Sequence, residues 1–417
     1  MNTKTDSELV LEFCMELGRR MIVSGANLER VQLALEYISG AYGFSDISLY
    51  LLSNFISISA VDPDGQYISR QCAIPPAGIH LDRLRSLNNL SFETARKKPA
   101  PKKLRKMLLD ASKVPERPDR QILLGQICAL SCLCVIFGGN LPEVISVILV
   151  GVAMHYITIL AEKPGLNHLV TNVLIMWVAT VVAVLVMRTG IGADGPVILI
   201  TVSMLAIPGI PLVNSVRNLL CGNEMNGILQ VAKVFIETMA LAMGIYIALL
   251  MFGLNNEMSN AVVAARSNPL VLILASFFAS ASFGVVFRIP NRDLWCAGLG
   301  GALTRVFLIL LPPILPSRLV FITVAALAAG LFAEGMATLR RYPSTYFIYP
   351  AIIPMIPADL FYYAVAGVYI GDASMVSSNG VNCLLTLLGM SIGFVLSSIV
   401  AHYIRKMRLS ALTGFSK

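Results

Sequence analysis

The sequence predicts a membrane all-α protein: ten transmembrane helices as two inverted five-helix repeats, preceded by a small cytoplasmic α+β domain. Three observations carry that expectation. The 417 residues are 56% hydrophobic and 13% charged, with a mean hydropathy of +0.74, whereas soluble domains carry about 25% charged residues. The charges crowd into the start of the chain, where residues 1–120 hold 17 of the 32 Lys and Arg and 14 of the 24 Asp and Glu. A proline motif also occurs twice, I-P-G-I-P at Ile207–Pro211 and I-P-M-I-P at Ile353–Pro357, 146 residues apart.

The polar domain is expected over residues 1–95. Its start carries Asp6, Glu8, Glu12 and Glu16, not the basic start and short apolar core of a cleaved signal, so the domain is expected to stay in the cytoplasm. Leu9, Phe13, Leu17, Met21, Leu28, Val31 and Leu35 recur near helical spacing, with a break at Ser24–Asn27, which predicts two amphipathic helices. Ser48–Ala60 alternates and is rich in β-branched and aromatic residues. Asp62-Pro63-Asp64-Gly65 then supplies turn chemistry before Gln66–Cys72, so a hairpin is expected, followed by a helix near Leu81–Arg96.

Residues 96–120 form a basic juxtamembrane linker in this reading. Seven basic residues and no acid lie between Arg96 and Lys106. Next to a membrane span, such a run is attracted to anionic lipid, by roughly 1 kcal/mol per residue near the surface. No aromatic platform or recognition motif accompanies it, so nucleic acid is not an expected partner.

Ten apolar segments follow: roughly 121–138, 142–160, 168–187, 194–215, 227–253, 269–287, 294–312, 318–337, 346–370 and 380–404. Each is near the roughly 20 residues that cross the hydrocarbon of a bilayer. They divide into a first repeat over residues 121–254, a second over 269–404 and a basic tail at 405–417.

With the N-terminus inside, the inner connections and tail carry Lys163, Arg217, Arg288, Arg292, Arg340, Arg341, Arg405, Lys406, Arg408 and Lys417, against Arg188, Arg266 and Arg318 outside. That positive-inside bias places both termini in the cytoplasm. The eight cysteines show no zinc-like pairing and read as small buried hydrophobes, Cys128, Cys132 and Cys134 among them.

Two prolines three residues apart should break a helix and leave carbonyls in need of protein partners or a polar cavity. The motifs fall in spans four and nine, the corresponding members of two five-span units. A five-span unit ends on the side opposite its start, so its second copy is inverted. Breaks at matching positions of inverted repeats point to a substrate site at the repeat interface, against the plain alternative of packing kinks.

The residues expected at a substrate and ion site are Pro208, Gly209, Pro211, Asn214, Arg217, Lys233, Glu237, Pro354, Pro357 and Asp359. Asp359 follows a break deep in a span, with Tyr362 and Tyr363 after it. Asn226, Gln230, Lys233 and Glu237 share one helical stripe in span five. Lys233 and Glu237 either pair silently, being four apart, or act separately, Lys233 drawing a carboxylate and Glu237 carrying a proton. Arg217 is equally read as an inner-face anchor. His155, Arg305 and Glu334 are expected to be satisfied locally.

Ser24–Val31 (S-G-A-N-L-E-R-V), the basic run, Ala129–Cys134 (A-L-S-C-L-C) and, most specifically, Pro208–Asn218 (P-G-I-P-L-V-N-S-V-R-N) together resemble the threonine/serine exporter family. The resemblance covers almost the whole chain. It implies a cytoplasmic domain plus five spans similar to the family's larger half, then five spans similar to its smaller half, joined near Asn255–Asn268; in some relatives the halves are separate polypeptides. It further implies secondary export of threonine and serine or a related small carboxylate across the inner (cytoplasmic) membrane, coupled to protons, with a dicarboxylate such as succinate as the alternative. A dicarboxylate favours two cations, such as Arg217 and Lys233. A zwitterionic amino acid also needs a carboxylate partner, Asp359 or Glu237.

No cofactor, metal or catalytic residue is expected. The chain has no G-x-S-x-G, H-E-x-x-H or Walker A motif, and its four histidines are far apart in sequence. Two other function classes stay open: a membrane-anchored hydrolase using Asp62, Asp64 and His80, and a first domain that senses a metabolite and gates the pore. Homo-oligomerisation is also left open.

Overall fold

The computed structural model describes residues 5–75, 78–161, 167–191, 195–254 and 268–414. Lys163, Arg266 and Lys417 of the charge pattern, and residues 255–267 of the expected join, lie outside the described residues. The contacts divide the chain into two units. One holds residues 1–117 with the connections 287–291 and 336–346; the other holds 118–286, 292–335 and 347–417.

The first unit opens with helix α1 (Asp6–Val23), which Thr5 and Glu8 start as a reciprocal capping box. Gly25, at φ +91°, turns the chain, and Asn27 caps α2 (Leu28–Ala41) by accepting from the Glu29 amide. Three strands follow, β1 (Ser45–Leu51), β2 (Phe55–Val61) and β3 (Tyr67–Ala73), in an antiparallel meander of order β1-β2-β3. The expected hairpin is therefore one strand short. Ser53-Asn54 turns the alternating run back on itself, closed by Leu52 N–H to Phe55 O at 2.8 Å, a tight turn that the alternation on either side hides.

Along β2, Ile56, Ile58 and Ala60 are buried against the helices. Gly18 of α1 lies so near the sheet that a Cβ there would come within 2.8 Å of Ile56 Cδ1. Helices α3 (Leu81–Lys97) and α4 (Pro101–Ser112) complete the unit. Within the basic run, α4 buries Leu104 and Leu108 and exposes Lys102, Lys103, Arg105 and Lys106.

A polar hub ties the two connections into this unit. Glu116 accepts from Arg83 Nη2 at 2.6 Å and lies 3.3 Å from Arg288 Nε and 3.7 Å from His80 Nε2. Leu81 N–H donates to Phe287 O at 3.0 Å, Arg85 donates to the Tyr342 hydroxyl at 2.9 Å, and Arg117 donates to Asn291 Oδ1 at 2.8 Å. Arg288 sits at φ +60°, a left-handed conformation uncommon outside glycine. His80 caps α3 through the Arg83 amide, and Asp62 Oδ1 accepts from the Asp64 and Gln66 amides of its own turn.

The second unit is helical: α5 (Asp119–Ile136), α6 (Leu141–Ala161), α7 (His168–Arg188), α8 (Gly195–Ala206), α9 (Gly209–Leu220), α10 (Glu224–Met251), α11 (Pro269–Val286), α12 (Leu294–Leu310), α13 (Arg318–Arg340), α14 (Thr345–Ala351), α15 (Ala358–Ile370) and α16 (Ala373–Gly414). Among the described residues, eight helices are long and apolar enough to cross a membrane, and nine spans result if the bent pair α8/α9 counts as one. A helix satisfies its own backbone, which is what hydrocarbon demands.

Two helix pairs make the same kind of glycine contact. Gly244 of α10 fits against the Val173 carbonyl, Met176 and Trp177 of α7, and Gly393 of α16 fits against the Thr323 carbonyl, Ala326 and Leu327 of α13. The α7 positions lie 150 residues before their α13 counterparts, and the glycines are 149 apart. Small residues of this kind let membrane helices approach to backbone contact. The cysteines divide: Cys14, Cys134, Cys296 and Cys383 are buried, whereas Cys128 and Cys221 are exposed, a correction to the expectation of uniform burial. Cys128 lies on an exposed face of α5, where a weakly polar thiol costs little.

Candidate functional site

Both proline motifs break their helices. Pro208 separates α8 from α9, which bend by 62°. Pro354 lies in a single 3-10 turn (Ile353–Met355), and Pro357 then precedes α15. Pro208 and Pro357 occupy N-cap positions, and Pro211 the first turn of α9, where a helix has no use for the N–H that proline lacks. The breaks thus start new helices at no hydrogen-bond cost.

The carbonyls released at the second break find partners. Thr304 Oγ1 of α12 donates to Ala351 O at 2.8 Å, and Pro357 O accepts from the Phe361 amide at 3.0 Å with Cys383 Sγ at 3.9 Å. At the first, Pro208 O accepts from the Leu212 amide at 3.1 Å.

The two breaks touch. A Cβ on Gly209 would lie 2.6 Å from Ile356 Cγ2, and Asn214 Nδ2 of α9 donates to the Tyr349 hydroxyl of α14 at 3.2 Å. Packing is crossed as well, α9 against α16 and α15 against α10. Pro208, Gly209, Pro211, Asn214, Pro354 and Pro357 are thereby drawn into one region.

Asp359 stands in the first turn of α15, where the amide ends of the helix favour an anion. The charges of Arg318 and Arg305 act on it, while Arg318 Nε also donates to Thr386 Oγ1 at 3.0 Å and Arg305 Nε to Ser276 Oγ at 2.9 Å. The charge of Arg217 reaches Tyr349. Tyr362 is buried, and its hydroxyl has no hydrogen-bond partner among the described residues, a vacancy in bonding that a polar ligand can fill.

Lys233 and Glu237 are placed otherwise. Glu237 is buried and lies 3.8 Å from Lys233 Nζ and 3.4 Å from His168 Nε2; the Lys233 side chain is 60% exposed. His168 begins α7, so the thirteen residues of α10 before Glu237, about 20 Å at 1.5 Å per residue, run past the end of α7. The stripe of Asn226, Gln230 and Lys233 belongs to that extension, with Gln230 accepting from Asn218 Nδ2 at 3.0 Å. His155 meets Gln126 at 2.8 Å.

Sequence reasoning passed over Tyr349, Arg318 and His168. Tyr349 carries no motif of its own. His168 and Arg318 carried a signal that was there to use: each opens a long apolar helix, 150 residues apart. Among the described residues no group of three His, Cys, Asp or Glu could hold a metal.

A family model described as "Putative threonine/serine exporter" matches residues 12–252, and another, "Threonine/Serine exporter, ThrE", matches residues 272–400. The chain belongs to the threonine/serine exporter family. Within curated proteins it is similar to the "Probable succinate transporter subunit YjjP" of Klebsiella aerogenes, 22% identical over 255 residues that span 60% of this chain and 97% of the relative. It is similar also to the protein of that name in Escherichia coli strain K12, 22% identical over 257 residues, 59% of this chain and 95% of the relative. No solved structure matches. This threonine/serine exporter family member therefore joins in one chain a part similar to a whole YjjP subunit and a second family region, and it is a multi-pass membrane exporter of a small molecule.

Proposed function

We propose that the protein is a secondary active transporter that exports threonine, serine or a related small carboxylate across the inner membrane, coupled to protons, without enzymatic chemistry. The substrate site is the crossing of the two breaks, lined by Pro208, Gly209, Pro211, Asn214, Arg217, Pro354, Pro357 and Asp359, with Lys233 and Glu237 towards the open end of α10. The observation that supports this most is the contact of Gly209 with Ile356, which joins the breaks.

Ten spans in two inverted five-helix repeats fit the recurrence of Gly244 and Gly393 contacts and of the broken fourth helix. The second break, split into α14, one 3-10 turn and α15, is the ninth span in this reading and brings the count to ten. Rocking one repeat against the other then exposes a central site to each side in turn. Residues 1–95 form the cytoplasmic domain, 96–120 the basic segment that meets anionic lipid through α4, 121–254 and 269–404 the repeats, and 405–417 the tail, with both termini inside.

A succinate-like dicarboxylate is the second reading. Arg305 and Arg318, both acting on Asp359, would offer two cations to such an anion. Counterflow in proteoliposomes with labelled threonine, serine and succinate at two pH values tests both readings. Exchange of one of them that weakens at least tenfold in Asp359→Asn is expected; no exchange of any by the wild type overturns the transporter reading.

A further inference from the structure

The two halves carry a polar pair at one equivalent place, and the pairs differ in what they can do. His168, the first residue of α7, lies 3.4 Å through Nε2 from Oε1 of Glu237, the fourteenth residue of α10. Arg318, the first residue of α13, donates through Nε at 3.0 Å to Oγ1 of Thr386, the fourteenth residue of α16. Histidine and glutamate side chains can each take up and release a proton. Arginine and threonine keep theirs.

The burial of the first pair is graded. The His168 side chain is 69% exposed and that of Glu237 11% exposed, so the protein leaves the imidazole uncovered and covers the carboxylate. The described charged group that faces Glu237 from its own helix is Lys233, at 3.8 Å. Of the other elements packed on α10, α9 brings Asn218, held by Gln230. α15 brings the neutral Phe361, against Phe235, and Tyr369, whose hydroxyl donates to Met239 O at 2.8 Å.

We propose that His168 and Glu237 are the proton-carrying pair of this exporter, and that the matching position of the second half is fixed in charge by Arg318 and Thr386. The inference rests on the transporter reading. Imidazolium Nε2–H passes its proton to Glu237 Oε1, leaving a neutral imidazole and a carboxylic acid, with no electron transferred. The neutral acid loses its hold on Lys233, whose ammonium becomes available to an anionic substrate, so one proton and one carboxylate are linked at a single pair of side chains.

The test uses the full-length protein in proteoliposomes and two assays with the same labelled substrate: exchange at equal pH on both sides, and accumulation driven by a pH gradient. In Glu237→Gln the ratio of driven accumulation to exchange is expected to fall at least tenfold. In His168→Gln, an exposed position that tolerates the change, the pH dependence of driven uptake should flatten. A Glu237→Gln ratio equal to wild type, or a His168→Gln pH profile equal to wild type, overturns the assignment. Wild-type exchange without any gradient-driven accumulation does so too, and it removes proton coupling from the transporter reading while leaving substrate exchange in place. No wild-type exchange with threonine, serine or succinate overturns the transporter reading and this assignment with it.

Discussion

Gly209 and Ile356 pack one broken helix directly on the other: a Cβ built on Gly209 would stand 2.6 Å from Ile356 Cγ2, closer than side chains tolerate. Gly209→Ala should therefore push the breaks apart, at a cost of about 1–3 kcal/mol typical of overpacking. Counterflow should fall at least tenfold. Adding Ile356→Ala removes the methyl that is struck, so the double variant should exchange faster than Gly209→Ala alone. Equal rates in the two variants would mean that this contact does not control the crossing.

Asn214 and Tyr349 make the polar link between the same helices, at 3.2 Å. Tyr349→Phe and Asn214→Ala should each slow exchange, and the double variant should lose less than the two losses combined. A coupling of about 1 kcal/mol is expected, the net value of one neutral hydrogen bond. Full additivity in that cycle would show the link to be idle during transport.

Much of this architecture was legible because a membrane chain advertises its helices. Segments such as His168–Arg188 announce themselves by length and apolarity, and paired prolines mark where a helix must restart. The third strand was not legible, because Ser53-Asn54 is a two-residue turn inside a run that alternates on both sides. The partners of the charges were not legible either. Glu237 shares a stripe with Lys233, four residues away, but also pairs with His168, from which it is separated by two whole helices and a break. Arg318 likewise counted only as one of the few outer-side charges, whereas it donates to Thr386 and its charge acts on Asp359. Periodicity reports which face a residue shares, not which distant helix that face meets.

His80 gives the first unit a pH dependence whose sign follows from its surroundings. Burial and the Arg83 charge push its imidazole down to about 4, with Glu116 opposing and Arg288 assisting. The unfolded chain titrates near 6.5. Between those values only the unfolded chain holds the proton, so the stabilisation is complete above about pH 6.5 and is lost progressively as pH falls towards about 4. Amide exchange in α3 of the full-length protein should accelerate across that window. His80→Asn keeps a helix-capping acceptor and removes the titration, so the acceleration should disappear; if it persists unchanged, another group is responsible.

The recurrence of Gly244 and Gly393 makes the last prediction a matched pair. A Cβ on Gly244 would strike the Val173 carbonyl, and one on Gly393 would come within 2.6 Å of the Thr323 carbonyl. Backbone atoms of a packed helix cannot rotate away as a side-chain methyl can. Gly244→Ala and Gly393→Ala should therefore each destabilise the purified protein by about 1–3 kcal/mol, through separation of α7 from α10 in one case and of α13 from α16 in the other. Gly335 of α13 is a control on a helix, since a Cβ there meets nothing within 4 Å. Gly335→Ala should leave stability unchanged or raise it by up to about 1 kcal/mol, the helical preference of alanine over glycine. Thermal unfolding in detergent reads all three. Similar losses at Gly244 and Gly393 are expected if the halves share one packing scheme, whereas a loss at only one of them would mean that the two helix pairs bear load differently despite their matching contacts.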